Sequence, residues 1–153
     1  MQKILVLHGV NLNMFGKRDP AHYGTITFNE INDRLERVAR ELGCTVETFQ
    51  TNHEGELVER IHRAHEEKID AVIINAGAWT YYSYALRDAL AILKVPIIDV
   101  HMSNIHARRG DFPDHSLIAS LATGQICGFR VHSYLLALRA ALELLKDEER
   151  GKG

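Results

Sequence analysis

Asp70-Ala71-Val72-Ile73-Ile74-Asn75 decides the fold. Four consecutive apolar residues sit between two polar ones, with no alternation that would leave one face for water. A strand of this kind belongs in a parallel sheet covered on both sides. On its amino-terminal side, Glu54–Lys68 reads as a helix with Leu57, Ile61 and Ala64 inward. Before that, Cys44–Gln50 is strand-like, with the β-branched pair Thr45 and Val46. Thr27 and Glu30 stand at capping-box spacing, and Phe28, Ile31, Leu35, Val38 and Leu42 form one apolar stripe that Gly43 ends. Lys3–Leu7 is a short buried strand.

The carboxyl-terminal side repeats the pattern. Ser83–Leu93 reads as a helix carrying Leu86, Ala89, Leu90 and Leu93, and Val95–Val100 as a strand with Pro96 at its start. An irregular stretch runs from His101 to Thr123. Gln125–Gly128 is a short fifth strand, and Val131 to about Lys146 a closing helix. Strands alternating with helices give βαβ units and a parallel sheet. The expectation is one flavodoxin-like α/β domain over residues 1–153, with strand order 2-1-3-4-5 and helices on both faces. Residues 146–153 are expected to be a frayed, charged tail. In that order Cys44 and Cys127 fall on opposite edges of the sheet, as free thiols.

The chain has 153 residues, 46% hydrophobic and 25% charged, an ordinary globular balance. Eighteen Lys and Arg against 20 Asp and Glu give a net charge of −2, without the basic excess of a nucleic-acid or anionic-membrane binder. No apolar run approaches the ~20 residues of a membrane span. The apolar run Ile4–Leu7 is too short for a signal-peptide core. A cytoplasmic protein without nucleic-acid or membrane partners is expected.

Open α/β sheets bind ligands beyond the carboxyl ends of their strands, at the switch point. Those ends here are His8–Asn13, Asn75–Tyr82 and His101–Ser103. The loop Gly9–Gly16 is neither a dinucleotide fingerprint nor a P-loop, and no GxSxG elbow occurs. Asp99, His101, His106 and His115 have adequate metal-ligand chemistry, but their spacing fits no zinc signature, so no metal is expected. His62, His65 and His132 read as surface groups, and His8 as a hydrogen-bonded structural residue. Arg18, Tyr23 and His101 form the more informative set. A guanidinium stabilises a phenolate, which serves as a general base, while a histidine near strand 4 serves as general acid. Asn11 and Asn75 can bind a developing enolate oxygen.

Several blocks go further. Gly9-Val10-Asn11-Leu12-Asn13, Gly16-Lys17-Arg18-Asp19-Pro20, Tyr23-Gly24, Gln50–Glu56, Asn75-Ala76-Gly77-Ala78, Leu86-Arg87-Asp88-Ala89 and Val100–Arg108 resemble type II 3-dehydroquinate dehydratases, in order, from about Lys3 to Leu145. The resemblance implies a cofactor-independent lyase of the shikimate route to aromatic amino acids. It implies anti elimination of water from 3-dehydroquinate to 3-dehydroshikimate, in a homododecamer built of trimers. By position, Tyr23 matches the base, Arg18 the cation beside it and His101 the acid. Asn11, Asn75, Met102, Ser103 and Asp88 match substrate-binding or site-bordering groups.

The chain also departs from the family pattern. Tyr81 stands where a substrate-binding His is usual, Asp99 where Glu is usual, and Arg130 where Gly is common. The run Ala107–Ser116 is one residue longer than usual. It places Pro113 where a substrate-binding Arg is expected, with Arg109 a candidate substitute. Three readings therefore stay open at this point. They are a dehydroquinate dehydratase with rebuilt ring-hydroxyl contacts, a diverged lyase acting on a related cyclic hydroxy acid, and a non-catalytic oligomeric binding subunit.

Overall fold

The computed structural model describes residues 1–107 and 115–152. Five strands, β1 (Lys3–His8), β2 (Thr45–Gln50), β3 (Ala71–Asn75), β4 (Ile97–His101) and β5 (Gly124–Cys127), form one parallel sheet in the order β2-β1-β3-β4-β5. The expected topology is the observed one. The helices are α1 (Pro20–Tyr23), α2 (Phe28–Leu42), α3 (Glu54–Glu66), α4 (Tyr84–Leu90) and α5 (Val131–Lys152).

The unbroken apolar runs divide between two cores, as strand alternation requires. Ile4, Val6 and Ile73 pack with Ile31 and Leu35 of α2 and with Tyr134 and Leu138 of α5. Leu5, Leu7, Val72 and Ile74 pack on the other face with Leu57 and Ile61 of α3 and Leu86 and Leu90 of α4. Residues of β1 and β3 have no polar side to offer, so both faces must be covered. Cys44 and Cys127 are free and stand at opposite edges.

Local chemistry sets the helix ends. Thr27 accepts from the Glu30 N–H, and Gly43 closes α2 with φ 75°. Ser83 caps α4 rather than starting it, and that helix stops at Leu90, before Leu93. The largest difference is at the carboxyl end, where α5 runs past Lys146 to Lys152 instead of fraying. Glu143–Lys146 and Asp147–Arg150 pair one turn apart, and Gln2 Nε2 donates to Glu149 Oε1 at 2.9 Å. A polar segment carries no apolar stripe, so periodicity could not reveal this helix.

The connection after β1 is also more regular than its sequence suggests. It holds a 3-10 turn at Leu12–Met14 and the four-residue α1. Asp19 caps α1 by accepting from the Ala21 N–H, and Pro20 occupies the first helical position, where its missing N–H costs nothing.

Candidate active site

The carboxyl ends of β1, β3 and β4 open into one cleft. Asn11, Arg18, Tyr23, Asn75, Tyr81, His101, Met102 and Ser103 line it, with Val10, Leu12 and Ile105 among its apolar walls. The loops after β1 and β3 press together at its floor. Gly9 donates its N–H to the Asn75 carbonyl at 2.7 Å. A β-carbon on Gly77, whose φ is 62°, would stand 2.8 Å from the Val10 carbonyl oxygen.

The short helix α1 turns the chain so that Tyr23 comes back over Arg18. Arg18 Nη2 donates to Tyr23 Oη at 3.0 Å, and the guanidinium carbon lies 4.1 Å from the centre of the Tyr23 ring. Phe15 supports that ring from beside it, centroid to centroid 5.8 Å. Negative charge on the phenol oxygen would therefore meet a cation already in place.

Asp99 and His101 are two apart on β4, so the pleat turns both side chains to one face. His101 Nε2 lies 3.2 Å from Asp99 Oδ2, and both residues are buried. With the donor at Nε2, the ring's Nδ1 is left for other partners. Cys127 stands opposite His101 on β5. Burial, with the Asp99 charge adding to it, pushes the Cys127 thiol up to about 12, which leaves it unsuited to act as a nucleophile.

Asn75 is held from behind. Its Nδ2 donates to Tyr134 Oη at 2.9 Å, and its Oδ1 accepts from the Gly77 N–H at 3.2 Å. Tyr134 Oη lies 3.1 Å from His8 Nδ1, and His8 Nε2 lies 3.1 Å from Asn32 Oδ1. One assignment satisfies every group. Nε2–H of His8 donates to Asn32, Tyr134 donates to Nδ1, and Asn75 donates to Tyr134. It requires a neutral imidazole, and burial lowers the His8 pKa to about 4. Burial also raises the Tyr134 hydroxyl well above its ordinary range, so it stays a donor. His8 is thus the structural histidine its position suggested.

Comparison with known proteins decides the family. The model of the class II dehydroquinases matches residues 2–142. The chain belongs to the class II dehydroquinase family. A protein of Syntrophotalea carbinolica named 3-dehydroquinate dehydratase is 68% identical over 148 residues, covering 97% of this chain and 99% of that one. One of the same name from Pelobacter propionicus is 70% identical over 145 residues, covering 95% and 97%. The crystal structure of a type II dehydroquinase from Propionibacterium acnes superposes with a TM-score of 0.86 at 42% identity, covering 91% of this chain and 94% of that one.

Of the nine residues the sequence assigns to the site, eight meet in the cleft, Tyr81 among them although the family pattern has a His there. Asp88 does not. It is exposed on α4, in a shallow groove with Tyr84, Ala85 and Ala91. Its neighbours in sequence, Leu86 and Ala89, are the ones that enter the core, which turns Asp88 outward. Arg109 and Pro113 lie outside the described residues. Among the described residues no group of three or more His, Cys, Asp or Glu is placed to hold a metal ion. No described helix is long and apolar enough to cross a membrane. Sequence reasoning passed over Tyr134 and Gln125, whose neighbours look like ordinary helix and strand. It also passed over Val10, Leu12 and Ile105, which adjoin residues it did select.

Proposed function

We propose that this class II dehydroquinase eliminates water from 3-dehydroquinate to give 3-dehydroshikimate, without a cofactor. The observation that carries this reading is the Arg18–Tyr23 pair, 3.0 Å apart, in the same cleft as the Asp99-bound His101. The names of the 68% and 70% identical relatives support it.

Tyr23, as phenolate, takes the proton from C2, and the C–H electrons pass into an enolate. Arg18 holds the phenolate before the transfer. Asn75 and Asn11 offer amide donors to the enolate oxygen or to the ring hydroxyls. The electrons then return to form the C1–C2 double bond as the C1–oxygen bond breaks. His101 gives a proton to the departing hydroxyl, which leaves as water. The proton on Tyr23 goes back through solvent to His101, and the cycle balances without oxidant or reductant. Met102 and Ser103 cradle the substrate carboxylate, and Tyr81 presents a hydroxyl to a ring substituent.

Asp88 can border this substrate only if it comes from another copy of the chain. The same resemblance suggests a dodecamer of trimers in the cytoplasm. Exposed Tyr84, in the same groove as Asp88, gives such a contact aromatic surface. Light scattering should give a mass several times 17.3 kDa. A stable monomer would remove the oligomer and the role of Asp88 together.

The test of the reaction is a steady-state assay that follows the enone absorbance of 3-dehydroshikimate. The wild type should turn over, and Tyr23→Phe should lower kcat by about 10²- to 10⁴-fold, the usual contribution of a general base. A wild type that leaves 3-dehydroquinate untouched would transfer the site to another hydroxy acid. Turnover equal in wild type and Tyr23→Phe would remove Tyr23 as the base.

A further inference from the structure

Three hydrogen bonds run outward from the back of His101 to the surface. His101 Nε2 lies 3.2 Å from Asp99 Oδ2; Gln125 Nε2 donates to the same oxygen at 2.8 Å; and His106 Nε2 lies 3.0 Å from Gln125 Oε1. We propose that Gln125 and His106 are positioning residues for His101, acting through Asp99. This rests on the reading of His101 as the acid.

The sheet register supplies the first argument. Asp99 of β4 is the direct partner of Gln125 of β5, so the amide is placed against the carboxylate by the backbone itself. The second argument is hydrogen-bond capacity. Asp99 is fully buried, and its Oδ1 has no partner among the described residues, so Oδ2 takes both bonds. Gln125 is the neutral donor that leaves the carboxylate free to hold the His101 ring.

The amide can adopt only one orientation. Its nitrogen faces Asp99, so its oxygen must face His106, and His106 must carry a hydrogen on Nε2. His106 is in turn fixed by its own loop, where its backbone N–H donates to Asn104 Oδ1 at 3.2 Å and the Ala107 N–H to the Asn104 carbonyl at 3.1 Å. Neither Gln125 nor His106 lines the cleft. Their effect on a bound substrate must therefore pass through Asp99 and His101. Without Gln125 the buried carboxylate loses one of its two donors and the constraint on its rotation, and the ring it orients loosens with it.

The experiment compares Gln125→Met, which keeps the side-chain length without the amide, His106→Ala, and the double variant. Loss of a hydrogen bond to a charged group predicts a kcat about tenfold lower in Gln125→Met, with KM within about twofold. His106→Ala alters an exposed side chain, so folding should be unaffected, and kcat should fall about threefold. The double variant should match Gln125→Met alone, because His106 acts only through the amide. Additive losses, a raised KM with unchanged kcat, or unchanged kcat in both single variants would overturn the proposal. Nitrogen-15 NMR of the His101 ring reads the same point without turnover. With the ring titrated to its neutral form, the wild type should show the Nε2–H tautomer, and Gln125→Met a mixture of tautomers. Identical ring signals in the two proteins would overturn the positioning role. An inactive wild type with that NMR difference intact would overturn the proposed reaction instead.

Discussion

The Gly9 N–H reaches the Asn75 carbonyl at 2.7 Å, so the loops that follow β1 and β3 are joined where the cleft begins. That approach leaves no room above Gly9, because a β-carbon there would run into the Ala76 carbonyl group. Backbone cannot move aside as a side-chain tip can.

Gly9→Ala is therefore expected to cost about 1–3 kcal/mol or more, the usual penalty for forcing an extra carbon into a packed place. Urea denaturation of the variant checks the figure. The loss of activity should exceed the loss of folded protein, because Asn11 and Asn75 both hang from the displaced segments.

Tyr134→Phe should destabilise the fold by about 1–3 kcal/mol while filling almost the same volume. The hydroxyl serves Asn75 and His8 together, and both lose a partner in the buried interior. Denaturant midpoints for the wild type and the variant provide the measurement. KM should also rise, since the Asn75 amide is then free to turn.

Stability should fall on acidification through the titration of His8. Its pKa is about 4 in the folded protein against an ordinary 6.5. Between those values the unfolded chain binds a proton that the folded chain refuses, so unfolding gains as pH drops. The contribution is fully present above pH 6.5 and lost by pH 4, about 3 kcal/mol in all at 1.36 kcal/mol per unit. Chemical denaturation across pH 4–7 should show this slope. His8→Gln should flatten it.

Tyr81→Phe tests whether the hydroxyl at the mouth of β3 meets the substrate. Removal of one neutral hydrogen bond predicts a KM roughly 2- to 10-fold higher with little change in kcat. Steady-state kinetics on 3-dehydroquinate decide it, and an unchanged KM would place the hydroxyl away from the ring substituents.

The sheet was readable because its central strands are apolar without interruption, and only a doubly covered parallel sheet accommodates that. Thr27 and Gly43 marked the two ends of α2 through chemistry that acts within four residues. What stayed hidden was of two kinds. The extension of α5 beyond Lys146 lacks any apolar face, and α1 is too short to show a period. The partners His8–Tyr134, 126 residues apart, and Asp99–Gln125, 26 apart, exist only because strand order brings them together. Arg18, Tyr23 and His101 were found by residue type and position. Asp88 was placed by motif alone, and a motif does not say which way a helical side chain points.

The double engagement of Asn75 also restricts what the cleft can accept. Its amide oxygen is occupied by the Gly77 N–H and one of its two amide hydrogens by Tyr134. A single hydrogen remains, and the Tyr134 bond keeps the amide from presenting its oxygen in that place. Toward a guest molecule Asn75 therefore behaves as a donor of fixed polarity. A carbonyl or an enolate oxygen fills that vacancy, whereas an ammonium or amide N–H in the same position would face a hydrogen with its own. At this one position the cleft thus favours an oxygen acceptor over an N–H donor.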